Sequence, residues 1–292
     1  MPLIHLNDRT LIRADGSDAV KLLHSVITCN VKTMAPGDAR YGGLLTPQGK
    51  IISDFLFYGL AEESFLFDVP AERAEDLLKR LIFHRLRAKV TFEVAADLAV
   101  AAVFGDHGAL PEGRLFTDPR FPGLGQRLVL EKAVADGLSS DLATYESHRI
   151  ALGIPKGGAD FTYGDTFPHE ADMDQLGGVD FKKGCYVGQE VVSRMEHRST
   201  PRNRLVEVIF PTPLAVGQEI VAGDKSVGQL TSVTEGRGIA TVRLDRATDA
   251  RAEGVPLTAG AVEVELRKPE WATFPLDWEK KVSALDAKFK AT

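Results

Sequence analysis

The first hundred residues alternate between apolar runs that fit strands and stretches with helical spacing. Runs at residues 3–6 and 10–13 are typical of short strands, and the turn at residues 15–18 precedes apolar positions spaced as on one helix face. A strongly apolar hairpin is predicted over residues 40–60, with its turn at residues 46–50. The chain thus begins as a strand-rich region with a short helix.

A second strand and a longer helix follow the hairpin. Residues 64–69 form an apolar run that stops at Pro70, a residue well suited to start the helix predicted over residues 71–86. Residues 89–94 return as a strand. The resulting β-β-α-β order predicts an α+β fold.

Periodicity fades in the middle of the chain and returns near its end. After two more strands and a helix over residues 140–152, residues 155–200 show no regular pattern and are too long for an idle connection. They are either functional or carry short helices. Beyond Pro201, short β-like runs separated by Gly, Pro and Asp indicate a small barrel or sandwich, and residues 271–292 are predicted to form a helical tail.

Composition and charge narrow the class of protein. The chain has 292 residues, 44% of them hydrophobic, which is ordinary for a globular protein of about two domains. Its net charge of −6 argues against a dedicated nucleic-acid-binding protein. No apolar run is long enough to span a membrane, so we expect no membrane partner. Cys29 and Cys185 support neither a disulfide framework nor a zinc site, which predicts a cytoplasmic location and no metal-binding residues.

The densest chemistry lies around Cys185. Gly184 and Gly188 flank a Cys-Tyr pair, so the backbone can turn sharply on both sides of the sulfur. Lys182 and Lys183 precede it, and positive charge near a thiol favours the thiolate. Cys185 is therefore either a reactive thiol or a small buried residue in a turn.

Two basic stretches stand out in this acidic chain. Residues 181–204 carry a net charge of +4, which fits either an anionic ligand or a solvated surface. Basic residues also crowd residues 79–89, where we interpret them as the solvent-exposed side of a helix.

Asp54 is the third candidate. It interrupts the apolar run at residues 51–58, where a carboxylate is unfavourable unless it is paired or lines a cavity. It is either a site residue or an Asp that binds a neighbouring turn.

The octapeptide at residues 183–190 resembles the K-G-C-Y-x-G-Q-E signature of the YgfZ-type folate-binding proteins, relatives of the glycine-cleavage aminomethyltransferase (T-protein). The resemblance covers most of the chain, including residues 18–30, the hairpin turn at 46–50, Pro168-His169-Glu170 and residues 227–232.

The resemblance implies a fold and a role. The fold would be a T-protein-like ring: an N-terminal α+β part, an interleaved ferredoxin-like part and a small C-terminal β-barrel around a central folate channel. We expect domains at residues 1–200 and 201–272, with the helical tail at residues 273–292. The role implied is maturation or repair of iron-sulfur proteins of the [4Fe-4S] type, with tetrahydrofolate bound and Cys185 as the functional thiol.

The resemblance also assigns site residues and leaves two alternatives open. Asp54 falls at the position of the T-protein catalytic carboxylate, so a folate-dependent aminomethyltransferase or demethylase remains the rival function. The other alternative is a scaffold whose folate pocket is vestigial. Expected partners are folate and, transiently, iron-sulfur assembly or client proteins, and we expect a monomer. The residues expected to bind the cofactor are Lys183, Gly184, Tyr186, Gly188, Gln189, Glu190, Arg194 and Tyr41.

Overall fold

The computed structural model describes residues 2–106, 108–198 and 201–274. The chain folds into two compact units, and each is formed by two separate stretches of sequence. Of the described residues, those within 1–149 and 162–200 form the first unit, and those within 150–161 and 201–292 form the second. The predicted helical tail lies almost entirely outside the described residues.

The first unit contains nine strands and most of the helices among the described residues. Its strands are β1 Leu3–His5, β2 Arg9–Asp15, β3 Ala39–Leu45, β4 Ile51–Ala61, β5 Ser64–Pro70, β6 Thr91–Val94, β7 Leu98–Val103, β8 Arg114–Thr117 and β9 Gln126–Glu131. The helices described along this part of the chain are α1 Ala19–Val26, α2 Ala71–Arg85, α3 Lys132–Ala135, α4 Leu142–Ala151 and α5 Gln189–Arg198.

Five of these strands form an antiparallel sheet in the order β3-β4-β5-β2-β6. Successive side chains on a strand point to opposite faces. On β4, Phe55 and Phe57 enter the main core of the unit, where Leu23 of α1 and Leu77 of α2 also pack. Asp54 therefore belongs to the other face of the sheet.

The remaining strands form a second antiparallel sheet, ordered β1-β7-β9-β8. Its two faces pack into separate clusters because successive side chains of β7 point to opposite faces of the sheet. Val100 and Ala102 pack with Tyr145 of α4, whereas Ala101 and Val103 pack with Leu128. Both faces of this sheet are covered within the unit.

Local sequence sets the limits of α2. Pro70 stands at its N-cap, consistent with the predicted start at residue 71. The helix ends at Leu86, whose backbone takes φ 47° and ψ −108°. This left-handed φ is uncommon for a residue with a Cβ atom.

The second unit is a seven-stranded antiparallel sheet that is nearly closed as a barrel. Its order is β15-β14-β11-β12-β13-β10-β16, and helix α6 (Leu244–Glu253) packs Leu244, Ala247 and Ala250 into its core. The strands are β10 Asn203–Ile209, β11 Glu219–Ala222, β12 Lys225–Thr234, β13 Arg237–Arg243, β14 Leu257–Ala259, β15 Val262–Glu263 and β16 Glu265–Arg267.

The segment 150–161 joins the barrel through side-chain hydrogen bonds. Thr231 donates to Asp160 Oδ1 at 2.7 Å, and the Trp271 indole donates to the Leu152 carbonyl at 2.9 Å. These hydrogen bonds explain why the segment groups with the second unit although it precedes residue 201. Across the described residues, every helix is too short or too polar to cross a bilayer.

Candidate functional site

Asp54 lies half-buried on β4, opposite Gly43 of β3. Both of its oxygens accept hydrogen bonds from tyrosine hydroxyls. Tyr41 donates to Oδ2 at 3.0 Å and Tyr163 donates to Oδ1 at 2.5 Å. The carboxylate that the sequence marked as unfavourable is thus paired, and Tyr163 is a site residue that the sequence did not reveal.

The two tyrosines stay protonated at neutral pH. Burial, reinforced by the negative charge of Asp54, raises the pKa of both Tyr41 and Tyr163 above the ordinary value. Each hydroxyl therefore acts as a donor, and Asp54 acts as the acceptor. The two tyrosines therefore present fixed donors to the two Asp54 oxygens.

Neighbouring groups hold the two rings in place. The Arg73 guanidinium lies 4.8 Å from the centre of the Tyr163 ring and donates to the Ile52 carbonyl at 2.8 Å. Gly178 faces Tyr41 so closely that an added Cβ would lie 2.8 Å from the ring. The rings therefore have little freedom to turn away from Asp54.

A second buried carboxylate, Asp68, lies on β5. It is fully buried, and it accepts hydrogen bonds from the Arg9 guanidinium and, at 2.8 Å, from the Tyr58 hydroxyl. Burial disfavours the Arg9 cation, but the attraction of Asp68 outweighs it and raises the pKa of Arg9. The sequence did not reveal this pair, because Arg9 and Asp68 are 59 positions apart.

The third buried acid, Asp118, is held by two arginines. Arg120 donates to it at 2.7 Å and Arg127 donates at 3.2 Å. Burial alone would raise the pKa of Asp118, but the two cations lower it well below the usual range. Both arginines also donate to the Tyr145 hydroxyl, and the Arg120 guanidinium lies 5.8 Å from the Tyr41 ring. A charged network of ion pairs and hydrogen bonds therefore extends to the Asp54 trio.

The octapeptide loop packs on the β3-β4 turn. Gly188 has φ 83°, and a Cβ there would lie 2.5 Å from the Thr46 carbonyl oxygen. On the turn, a Cβ at Gly49 would lie 3.1 Å from the Val191 side chain. Helix α5 then begins at Gln189, whose side chain accepts the Tyr186 N–H at 3.3 Å. Gly188 thus allows the backbone of the loop to contact the turn.

Lys183 holds the loop to the end of α1. Its side chain is only 9% exposed, and its ammonium donates to the Ile27 carbonyl at the end of α1. The His24 ring donates to the Lys183 carbonyl at 2.9 Å. Burial lowers the pKa of Lys183 to about 8. The sequence placed both lysine charges beside the thiol, whereas the structure uses the Lys183 ammonium to hold the loop to α1.

The two cysteines have opposite surroundings. Cys185 is exposed, next to Gly184, which has φ 102°. Cys29 is buried, and burial raises the pKa of its thiol to about 12. Because a reactive thiol must be reachable, Cys185 is the candidate and Cys29 is a core residue.

The other predicted ligand contacts divide between the loop and the surface. Tyr186 lies 7% exposed, and its hydroxyl is buried without a hydrogen-bond partner in the described part of the chain. Glu190 and Arg194 form an exposed ion pair at 3.3 Å on α5. The structure therefore brings Tyr41 to Asp54, gathers residues 183–189 in one loop, and leaves Glu190 and Arg194 on the surface.

Two further features surround the loop. A groove of about 440 Å³ is lined by Cys29, Arg40, Asp180 and Lys182. His169, Asp174 and Glu196 bring ligand-type atoms within 4.8 Å of one another, and the His169 ring donates to Glu196 at 3.0 Å. These three residues could hold a metal ion, although the sequence indicated none.

Two family models match the chain. One, described as the GCVT N-terminal domain, matches residues 3–109, and the other, described as the CAF17 C-terminal beta-barrel domain, matches residues 202–274. A crystal structure of glycine cleavage system aminomethyltransferase T from Bartonella henselae has a TM-score of 0.74 and 18% identity, covering 92% of this chain and 86% of that one. The protein thus has the aminomethyltransferase T fold with a C-terminal barrel, which confirms the predicted α+β class and its two parts.

Sequence relatives narrow this class to a family. A mouse protein named iron-sulfur cluster assembly factor IBA57, mitochondrial, is 32% identical over 78% of this chain and 70% of its own length. A Neurospora crassa homologue is 32% identical over 71% of this chain. The chain belongs to the IBA57 family. It spans 53% of the length of the Neurospora protein and 66% of that of the human relative.

Proposed function

We propose that this protein is a folate-binding accessory factor for the maturation or repair of [4Fe-4S] proteins, with Cys185 as its functional thiol. The observation that carries the proposal is the exposed Cys185, presented on a loop that Lys183 fixes to α1, in a member of the IBA57 family. The name of the mouse relative states cluster assembly, which supports the same process here.

The number of accessible thiols requires a partner. Iron-sulfur clusters are usually held by about four cysteine thiolates, and this chain has two cysteines, of which Cys29 is buried. Cys185 alone cannot hold a cluster. We therefore propose transient contact with an iron-sulfur assembly or client protein that supplies the other ligands, the chain itself being a monomer.

Tetrahydrofolate is the ligand we propose for the Asp54 site. A carboxylate offers about four lone-pair positions, and Tyr41 and Tyr163 each use one. The half-buried Asp54 can therefore still accept N–H groups of a ligand. These residues fit tetrahydrofolate, which when bound supplies a carrier for one-carbon units. The octapeptide residues and Arg194 remain predicted contacts of the same ligand.

A folate-dependent aminomethyltransferase or demethylase is the second candidate function. The position of Asp54 favours it, because a carboxylate fixed by two hydroxyls is suited to orient an amine. In that case Asp54 would position the tetrahydrofolate amine that accepts the carbon unit.

Complementation of a deletion strain separates the two functions. The wild-type chain should restore the activity of a [4Fe-4S] enzyme, and failure to do so contradicts the proposed factor. Asp54→Asn keeps the side-chain shape and removes the charge. It should restore the same activity if the protein is an accessory factor, whereas it should abolish one-carbon transfer if the protein is a transferase.

We also propose a cytoplasmic location. Its basis is two unpaired cysteines, which suit a reducing compartment. The names of the mouse and Neurospora relatives place those proteins in mitochondria. Fractionation of cells that express the chain decides between the two compartments.

A further inference from the structure

The end of α2 presents an exposed apolar surface. Ile82, Phe83 and Leu86 are 41%, 76% and 84% exposed, respectively. Among the described residues, Phe83 and Leu86 are the two most exposed large hydrophobic side chains. We call these three residues with Arg87 and Lys89 the α2 tip.

The apolar residues of the α2 tip are distinct from those that α2 packs into the core. Leu77 and Leu81 of α2 pack into the core. Ile82 and Phe83 lie in the last turn of α2, and Leu86 is its C-cap residue. Three exposed apolar side chains therefore occur within five consecutive positions where the chain leaves the helix.

The backbone at the tip is held in a costly conformation. Leu86 has φ 47°, and it is one of two non-glycine residues with a left-handed φ among those the structure describes. Such strain persists only where the surrounding structure imposes it, and it concentrates at functional positions. Here it is found at the most exposed large hydrophobic side chain.

The charge around the tip is uniformly positive along the sequence. Residues 77–92 contain five Lys or Arg and no Asp or Glu. Lys79 and Arg80 are paired with Glu75 and Asp76 of α2. Arg87 and Lys89 are exposed beyond the helix, and the carboxylate of Asp18 accepts the backbone N–H of Lys89.

We propose that the α2 tip binds the surface of an anionic lipid bilayer, with Phe83 and Leu86 entering the headgroup boundary and Arg87 and Lys89 contacting the headgroups. Protruding Phe and Leu side chains flanked by Lys and Arg are the combination that peripheral membrane sites use. The cations complement the negative lipid surface. The proposal departs from the sequence-based expectation of no membrane partner. That expectation rested on the lack of a long apolar run, which surface contact does not need.

Two other occupants fit the tip less well. A stable protein interface uses about 20–30 residues a side, far more than the apolar residues at the tip. A second copy of this chain would bring the cations of two tips together, which is unfavourable. The proposal is independent of the folate and iron-sulfur function proposed above.

Vesicle co-sedimentation of the full chain tests the proposal. We expect binding to phosphatidylcholine vesicles that contain about one third phosphatidylglycerol, and weaker binding at high salt, since salt screens exposed charges. The double variant Phe83→Ser, Leu86→Ser should reduce the partition coefficient about ten-fold or more. Val216→Ser, which removes a 61% exposed side chain from the barrel, is the matched control and should bind as the wild type does.

Charge and depth of insertion are measured separately. Arg87→Gln and Lys89→Gln should each reduce binding about five-fold, whereas Lys225→Gln on the barrel should not. The chain already has two tryptophans, so the emission of Phe83→Trp is compared with that of the wild type, and the difference should shift to the blue when anionic vesicles are added. Melting temperatures establish that each variant is folded.

Three results would overturn the proposal. The first is no sedimentation of the wild type with anionic vesicles, which would leave the tip to a protein partner. The second is binding that the charge variants lose and the Phe83, Leu86 double variant keeps, which is adsorption by charge alone. The third is a Phe83→Trp emission that the vesicles do not change.

Discussion

Asp54 shows how single residues define the site. Each of its two oxygens accepts a hydrogen bond from one tyrosine hydroxyl, so removing either hydroxyl should remove one hydrogen bond from the same carboxylate. We predict that Tyr163→Phe and Asp54→Asn are coupled in a double-mutant cycle of unfolding free energy by about 1 kcal/mol, because residues that share a hydrogen bond are not additive. The matched pair Tyr58→Phe with Asp54→Asn should be additive within about 0.5 kcal/mol, since Tyr58 donates to Asp68 instead. Equal coupling in both cycles would contradict the geometry.

Lys183 makes a second prediction at the residue scale. Burial lowers its pKa in the folded protein to about 8, against an ordinary value of 10.5. Between these two pH values the unfolded chain binds more protons, so the contribution of Lys183 to stability rises with pH across this window and is flat below it. Lys183→Met should remove that part of the pH dependence of the urea midpoint, whereas Lys182→Met, at an exposed neighbour, should keep it. If the urea midpoints of both variants depend on pH in the same way, the pKa of Lys183 is not lowered in the folded protein.

At the scale of elements, the octapeptide loop depends on its contact with the β3-β4 turn. Gly188→Ala should destabilise the protein by more than about 1–3 kcal/mol, because the added Cβ meets the Thr46 carbonyl at 2.5 Å on a backbone with φ 83°. Gly184→Ala is the matched control. Its Cβ would meet open space, so it loses stability only through the strain of a backbone with φ 102°. Equal losses of unfolding free energy would mean that the loop does not pack on the turn.

The same loop marks the limit of prediction from sequence. Apolar periodicity placed α2 almost correctly, since its core residues recur at helical spacing. Helix α5 was not predicted because most of its residues are polar, and among those whose burial is described only Val192 is deeply buried. The direction of the Lys183 side chain could not be predicted either, since its acceptor, the Ile27 carbonyl, lies 156 positions away in the chain.

At the scale of the whole molecule, the resemblance predicted the two-part architecture and local patterns predicted most of the strands. The buried acid Asp68 was missed because its partner Arg9 lies 59 positions away and reaches it only through a tertiary contact. Asp118 was missed although Arg120 is two positions away, because nothing in the local sequence indicates that Asp118 is buried. Asp54 was found because an acid in an apolar strand is conspicuous on its own. Chemistry that one strand carries is therefore predictable here, whereas chemistry assembled from several strands is not.

Ligand binding should be visible in the stability of the whole protein. Tetrahydrofolate at about 100 times its Kd should stabilise the folded state by about 2.7 kcal/mol and raise the melting temperature of the transition that includes Asp54. Asp54→Asn should change the affinity by a few fold only, because shape is kept. Isothermal titration with mono- and polyglutamylated forms measures the affinity directly. No heat and no thermal shift at millimolar ligand would rule out folate binding.

The central claim is that the exposed thiol of Cys185 performs the function. The most direct measurement is the activity of a [4Fe-4S] enzyme in deletion cells that carry Cys185→Ser, with Cys29→Ser in parallel and the melting temperature of each purified variant. Because serine nearly matches cysteine in volume but is hardly ionised at neutral pH, Cys185→Ser should keep its melting temperature and lose support of the enzyme. Cys29→Ser should keep most of that support, since Cys29 is buried and its thiol is protonated. Full enzyme activity with Cys185→Ser would contradict the claim.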